Sequence, residues 1–390
     1  MSATQHGGRM LEGIRVVDLT SIVFGPYATQ ILADMGAEII RVEPPSGDQM
    51  RKTGRSPRAK GMGPPHVLLN RGKRSIALDL KVAEDAATMR QLLATADLFI
   101  HNIRASAIER LGFGYDAVKA IRPDIIYVHC VGFGSGGPYA GLQAYDDVIQ
   151  AASGAATLLP RVDGDERPRY LPSLIADKVA GLYGAQAALA AIIHKLRTGE
   201  GQHIEVPMFE SFTHFMLLEH MYGQVYDPPI EPAAYPRQVQ RYRQPFPTAD
   251  GHISIVPYTS DAFGRLFEVL GNPAILEDER YNTPRLQTIN IEDLYQEIAR
   301  LTPARTTAEW LELLAAAQIP AMAVRDIGEM LDDPHLQAVG FFERRDDADI
   351  GGHYQLRLPT AFGAGVRPDL LPARVLDADG DAIRAELAGD

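Results

Sequence analysis

The chain opens its ordered pattern with a short apolar run, 14-IRVVDLT-20, bounded by turn residues, which predicts a strand buried on both faces. Helical spacing follows in 25-GPYATQILADMG-36, with Pro26 suited to a first turn and Gly36 to a stop. A second apolar run, 38-EIIRVEPP-45, is cut off by prolines. Strand, helix and strand in so few residues predict a βαβ unit and therefore a parallel sheet. The alternation continues with a strand at 74–80, a helix at 84–96, a strand at 97–103, a helix around 105–112 and a strand within 124–134. One long buried helix is predicted from Asp177 to Lys195, and 201-GQHIEVPM-208 reads as another strand. From about Phe209 to Arg243, Met, Tyr and Pro follow no clear period, which predicts a connecting segment. A second, smaller domain is expected at 244–330: a strand in 251-GHISIVP-257, then helices at 290–302 and 307–318 with Trp310 on the packed face. The tail, 353-HYQLRLPTAFG-363, is expected to return to the main body as strand.

Composition narrows the function. With 390 residues, 46% of them hydrophobic, the chain can bury a large core. A formal charge of -12 and the lack of any basic run argue against nucleic acid or an anionic membrane as partner and favour a small-molecule enzyme. The single cysteine, Cys130, excludes an internal disulfide and a cysteine-rich metal site. The start, MSATQHGGRMLEGIRVVDL, shows no apolar h-region, so a cytoplasmic location is expected. The apolar run Val179 to Ile193 falls short of the roughly 20 residues of a membrane span and is expected to be a core helix.

Open parallel sheets bind ligands beyond the C-terminal ends of their strands. The loops expected there carry Gly25-Pro26, Asn102 to Arg104 and 132-GFGSGGP-138, the last read as a flexible, anion-friendly loop. Neither GxGxxG nor the P-loop lysine pattern is present, and eleven histidines show no HExxH or paired spacing, so no metal is expected. His129, inside a strand, reads as a core histidine, and Ser135 is not a nucleophile elbow because Pro138 breaks the helix that motif needs. The cations of 71-RGKRS-75 read as a solvated turn, with phosphate contact the lesser alternative, and Arg104 and Arg110 by themselves as surface residues. On local pattern alone Asp177 is an N-cap, with Pro172 and Ser173 just upstream suiting a helix start.

Together, the ordered motifs LEGIRVVDLT, GPYATQILADMGAEIIRVEPPSGD, NRGKRSIALDLK, NIRASAIERLGFGYD, PDIIYVHCVGFGSGGPYA and IADKVAGLYGAQAALAAIIHKLRTGEGQHIEVPM resemble the class III CoA-transferase family, which also holds the α-methylacyl-CoA racemases. The resemblance extends through 243-RQPFPTADGHISI-255, 305-RTTAEWLELL-314 and 333-DPHLQAVGFF-342 and fades only in the tail, which lacks the usual closing LGxH-type motif. It implies a doubly wound, Rossmann-like α/β domain from residues 1–215 and 331–390, a linker at 216–243, a small α+β domain at 244–330, and two subunits interlocked as a homodimer. It also implies that Asp177 is the nucleophile: its carboxylate attacks an acyl-CoA thioester, and mixed anhydride and aspartyl-CoA thioester follow. The helix N-terminus and loop N–H groups would then stabilise the oxyanions.

By the same matching, CoA lies along Val23 and Phe24, Leu78, Asp79 and Lys81, Asn102, Ile103 and Arg104, Arg110, and Gln143, Ala144 and Tyr145, with Lys81, Arg104 and Arg110 meeting phosphates. CoA is the substrate carrier; no metal or redox cofactor is implied. A phosphate-contacting arginine of the family falls on Pro44 here, and Arg41 is the candidate substitute. Racemases resemble a pattern with HD before the AxxSG helix, whereas 144-AYDDVIQAASG-154 puts Tyr145 in the histidine's place. A phenol, with a reference pKa of about 10, is a poor base. Transfer is therefore favoured over racemisation, and the intact Asp177 disfavours a catalytically idle CoA-binding protein. The glycine run of the oxalate-specific members is missing from 247–258. The cluster Arg237, Arg241 and Arg243 suggests a dicarboxylic acid and succinyl-CoA, against the equally weighted alternative of a solvated linker.

Overall fold

A computed structural model describes residues 9–363, 369 and 371–389. The chain forms two compact units: one runs to Ala155 and adds Tyr170–Met216 and the chain from Pro334 on, and the other comprises Ala156–Arg169 and Leu217–Asp333. Residues 217–243, expected as a linker, thus cluster with the second unit, as do 156–169.

The first unit is built on six parallel strands: β1 (Arg15–Leu19), β2 (Glu38–Glu43), β3 (Lys73–Ala77), β4 (Leu98–His101), β5 (Ile126–Val131) and β6 (His203–Pro207). Their order is β3-β2-β1-β4-β5-β6, so the chain winds outward from β1 to β3 and then returns to lay β4 on the other side of β1. That reversal opens a crevice at the C-terminal ends of β1 and β4, where such sheets bind ligands. Val16, Val17, Ile39, Ile100 and Val128 are wholly buried, which is why these strands read as continuous apolar runs.

On one face of the sheet, α2 (Ala83–Thr95) packs Met89, Leu92 and Leu93 against Phe99 and Tyr127. On the other lie α1 (Phe24–Asp34) and α5 (Ile175–Thr198); α3 (Ala105–Arg110) and α4 (Asp146–Ala152) precede α5 in the chain. Small side chains set how closely α1 and α5 approach. A Cβ at Gly181 would lie 2.9 Å from the Phe24 carbonyl oxygen, and one at Gly184 3.3 Å from the Ala28 Cβ. Phe24 beside Gly181 and Ala28 beside Gly184 make the two helices parallel. Both N-termini therefore sit at the C-terminal edge of the sheet. The helix α5 is longer than the apolar run measured on the sequence and is long and apolar enough to cross a membrane by length and composition alone, a test that a core helix also passes; its Gly and Ala face is buried against α1.

The chain's end closes the outer edge of β3. The Asp379 and Asp377 carboxylates accept hydrogen bonds from the Ser75 and Ala77 N–H groups, removing donors that an open edge would present. The predicted tail strand forms, as β11 (Gly351–Leu356), but it pairs antiparallel with β10 (Phe342–Asp347) in a separate ribbon; α10 (Gly380–Ala388) follows.

In the second unit, β7 (Phe246–Pro247), β8 (His252–Ile255) and β9 (Ala321–Ala323) form an antiparallel sheet. The helices α7 (Ser260–Val269), α8 (Ile291–Leu301) and α9 (Thr307–Ala316) cover it, with Trp310 buried and its indole N–H donating to the Thr302 carbonyl at 2.7 Å. The connecting segment expected from about Phe209 to Arg243 instead begins as a helix, α6 (Met208–His220). Its buried apolar positions, Met208, Phe212 and Met216, recur every fourth residue, a stripe too narrow to stand out among so many exposed apolar neighbours.

Gly181→Ala tests the helix contact. An exposed Gly→Ala change in a helix stabilises by about 0.5–1 kcal/mol. Here the new methyl meets backbone, so a loss of about 1–3 kcal/mol is expected in chemical denaturation, and a gain in stability would show that α1 and α5 are not held at this distance.

Candidate active site

Asp177 is the third residue of α5 and is buried. It does not cap the helix, and the N-cap residue, Leu174, makes no side-chain capping bond. The cap comes from another element: Asp146 Oδ1 accepts from the Ala176 N–H at 2.7 Å and the Asp177 N–H at 3.1 Å. Asp146 opens α4 and is itself held by Gln150, whose Nε2 donates to Asp146 Oδ2 at 2.6 Å. The same Gln150 accepts from the Leu171 N–H and donates to the Ser173 carbonyl, so one buried amide fixes both the capping carboxylate and the chain entering α5. Asp146 and Gln150 are the functional positions that sequence reasoning passed over. Their signal is an Asp and a Gln four apart in 144-AYDDVIQAASG-154, next to Tyr145.

Burial pushes the Asp177 carboxyl up to about 7, the neighbouring Asp146 charge adds to the rise, and the Phe24 N–H, donating to Asp177, opposes it. Two parallel helix N-termini also oppose it, each contributing a partial positive charge. Desolvation wins because the carboxylate has left water without gaining a full countercharge. The result is an aspartate close to half ionised at neutral pH and more basic than an exposed one.

The neighbouring amides are largely committed. In α5 the Ala176 and Asp177 N–H groups go to Asp146 and that of Lys178 to the Leu174 carbonyl, so the helix start expected to stabilise an oxyanion is already satisfied. The glycine loop of 132–138 differs from expectation in the same way: Gly134 and Ser135 donate their N–H groups to Glu210 and Glu205, at 2.9 Å each. An acidic chain fills this nest with its own carboxylates.

The loop between β1 and α1 is held against strain. Ile22, a β-branched residue, has φ 69° and gives its N–H to Asp48 Oδ2 at 3.0 Å. Asn102 grips Ser21 from both sides, accepting from its N–H and donating to its carbonyl. Asp48 in turn pairs with Arg41 at 2.9 Å, and Arg41 is wholly buried among Asp18, Glu43 and Asp48. Arg41 therefore does not replace the arginine missing at Pro44; its charge is needed to neutralise three acids. The supposed solvated turn is likewise internal. Lys73 is buried and donates to Thr29 and Asn70 beside Asp18, and Arg71 pairs with Asp34, leaving only Arg74 of the three cations half-exposed.

Of the positions expected to meet CoA, Val23 and Phe24 lie buried at the start of α1, and Leu78 is buried after β3. Asp79 is turned onto its own loop, accepting from the Lys81 N–H. Asn102 is spent on Ser21, and the Ile103 N–H donates to His101 Nδ1. Lys81, Arg104 and Arg110 are exposed and belong to none of the ion pairs among the described residues. Gln143 and Tyr145 are exposed and Ala144 is half-buried in the loop after β5. Residues 23–24, 102–104 and 143–145 thus follow or flank the C-terminal ends of β1, β4 and β5. Arg237 and Arg243 line a cavity of the second unit, whereas Arg241 is exposed. His129, a core histidine as expected, bonds through Nε2 to the Ile103 carbonyl at 2.9 Å. Among the described residues no three His, Cys, Asp or Glu side chains converge to hold a metal.

The sequence pattern of CoA-transferase family III matches residues 11–372. The chain belongs to CoA-transferase family III. It is 34% identical over 361 residues to a succinate–glutarate CoA-transferase of Agrobacterium fabrum, covering 88% of this chain and 87% of that one. It is 32% identical over 347 residues to a probable fatty acyl-CoA transferase of Mycobacterium tuberculosis, covering 85% and 86%. The fold is similar to the crystal structure of a CAIB/BAIF family protein from Brucella suis, at a TM-score of 0.83 and 31% identity over 97% of this chain and 99% of that one.

Two measurements follow from the carboxylate pair. With Asp177 raised above its unfolded value, the native state keeps a proton that the unfolded chain has lost, so stability falls as pH rises from about 4 through about 7. Asp177→Asn is expected to match the parent near pH 4 and to exceed its stability above pH 7. Asp146→Asn keeps an acceptor for the cap but removes the charge, so the acid limb of the CoA-transferase family III member's kcat/KM should move below its parental position near 7. An unmoved limb would mean that Asp177 does not set it.

Proposed function

We propose that this protein transfers CoA from succinyl-CoA to a small carboxylic, preferably dicarboxylic, acid, with Asp177 as the nucleophile. The observation that carries this reading is the desolvated Asp177 carboxylate at the sheet's C-terminal edge, raised to about 7 by burial and the neighbouring Asp146 charge, with the Phe24 N–H opposing the rise. An ionised carboxylate needs no partner base, and its raised basicity strengthens it as a nucleophile. The succinate–glutarate CoA-transferase among its relatives supports this donor and acceptor class.

In this reading Asp177 Oδ attacks the thioester carbonyl and the C–S bond breaks, giving an aspartyl–succinyl anhydride and CoA thiolate. The thiolate attacks the aspartyl carbonyl, releasing succinate and leaving an aspartyl-CoA thioester. The incoming carboxylate attacks that thioester, a second anhydride forms, and the thiolate then captures the new acyl group and frees Asp177. Burial of Asp177 serves the sequence twice, since anhydrides are lost to water. Exposed and in no ion pair among the described residues, Lys81, Arg104 and Arg110 are cations available for the phosphates of CoA. Val23, Phe24, Leu78, Asp79, Asn102, Ile103, Gln143, Ala144 and Tyr145 complete the proposed CoA contacts.

A homodimer and a cytoplasmic location complete the reading. The apolar residues exposed on α5, Leu182, Ile193 and Leu196 at 50%, 57% and 74%, support a second copy as their cover. The buried, protonated Cys130 thiol fits a reducing compartment.

The test is intact-mass spectrometry of the protein with succinyl-CoA, with and without hydroxylamine, followed by peptide mapping. A CoA-sized adduct on Asp177, absent from Asp177→Asn, is expected. An unlabelled protein that instead admits solvent deuterium at the α-carbon of a 2-methylacyl-CoA would replace transfer with racemisation and make Asp177 a base.

A further inference from the structure

We propose that the cavity lined by Arg237 and Arg243 is a binding site for a short dicarboxylate, one carboxylate held by each guanidinium and the methylenes against the apolar wall. As a specificity site in turnover it rests on the transferase reading above; as a binding site it stands alone. All of its lining residues belong to the second unit.

Two guanidiniums converge on this cavity without an acid between them. The Arg237 guanidinium carbon lies over the Tyr258 ring, 4.2 Å from its centroid, and the group interacts with the hydroxyls of Tyr295 and Tyr258. Arg243 donates through Nη1 to Gln238 at 2.8 Å. Neither joins an ion pair among the described residues; the same holds for the exposed Arg241, Arg285 and Arg305 of this unit, but Arg237 and Arg243 share one cavity, and no Asp or Glu lines it with them. In a chain with 50 acidic and 38 basic residues, acids to neutralise an arginine are abundant, so an acid-free pair is a site kept open for an anion from outside. Both side chains are half-buried, so the charge is poorly screened, and the ring and amide contacts fix the two forks in place.

The other walls select the anion. Phe246, Ile255 and Pro257 make one side apolar, and Ser254 and Tyr295 add hydroxyls. The volume, about 160 Å³, is well below the roughly 300–1,000 Å³ of sites for drug-sized ligands. It suits a four- or five-carbon diacid and excludes a nucleotide. A phosphate would satisfy the arginines but leave the apolar wall without a partner.

Titration calorimetry of the full chain with glutarate, butyrate and inorganic phosphate decides the matter. Glutarate is expected to bind at least about tenfold more tightly than butyrate, the margin of one charge-assisted bidentate contact. Arg243→Gln and Arg237→Gln should each weaken glutarate by about ten- to a hundredfold, with butyrate shifted far less, and Arg243→Lys should recover part of the loss, which separates a lost contact from a lost fold. In turnover the same variants should raise the KM for the diacid more than they lower kcat. Equal binding of glutarate and butyrate, phosphate binding more tightly than glutarate, or a parental glutarate affinity in the double variant would each overturn the proposal. The CoA adduct on Asp177 is scored separately, so a wild-type protein that binds glutarate but forms no adduct would remove the transferase reading and leave this site standing.

Discussion

The site depends on how closely two parallel helices approach. Gly181 and Gly184 present hydrogen where any other residue would present carbon, and α1 settles against α5 with the Phe24 carbonyl and the Ala28 methyl in the space. That contact puts the Phe24 N–H within reach of Asp177, so the carboxylate lies at the start of its own helix and at the start of another. The β1–α1 loop has to reach the same place, and it does so with Ile22 in a left-handed conformation that its side chain opposes. Asp48 and Asn102 hold it there, and Arg41 holds Asp48. The buried ion network below β1 therefore acts on the site through one loop, and its cost in desolvation is tied to geometry rather than to net stability.

A second carboxylate makes the arrangement tense. Asp146 is the natural answer to the unsatisfied N–H groups at the start of α5, and any acceptor would do for that purpose. Choosing an acid there places a negative charge beside Asp177 and, with burial, keeps Asp177 from ionising as an ordinary aspartate would. The fold is less stable at neutral pH for it. In the proposed reaction the gain is a carboxylate that combines ready ionisation with basicity, shielded from the water that would hydrolyse an anhydride. Gln150 shows that the pairing is supported, since its amide does nothing except orient Asp146 and the chain leading into α5.

The main sheet was legible because buried parallel strands are the least ambiguous pattern a chain offers: every strand from β1 to β6 was anticipated, with ends shifted by at most three residues. The α6 helix was not, because its buried stripe of Met208, Phe212 and Met216 lies among Phe215, Leu217 and Leu218, which are apolar and exposed. Periodicity fails where both faces are apolar. Asp177 stood out as a lone acid in a helix of Ala and Gly, and the family motifs gave it a role that local pattern alone would have assigned to capping. Asp146 was invisible for the opposite reason, since an acid next to another acid at a helix start looks like surface, and only the fold brings it onto α5. The cations were misjudged by the same local view. In 71-RGKRS-75 the acids that draw Arg71 and Lys73 inward, Asp34 and Asp18, are contributed by α1 and β1, far away in sequence.

Charge allocation connects these observations. The first unit spends Arg41, Arg51, Arg71 and Lys73 internally, each against buried acids, and those cations are unavailable to any ligand. Lys81, Arg104 and Arg110 have no such partner among the described residues, and Arg104 and Arg110 lie beyond β4, whose end borders the crevice. The arginine missing at Pro44 thus leaves the outer set smaller without drawing on the inner one, because removing Arg41 would leave the buried Asp48 without its cation and take one of two cations from Asp18 and Glu43, at a cost of several kcal/mol. A cation matters to a ligand only if the fold has not already used it. For this chain that criterion separates the arginines more sharply than exposure or sequence position does: Arg41 fails it although it stands next to the family position, and Arg243 passes although it lies in a segment that looks like a linker.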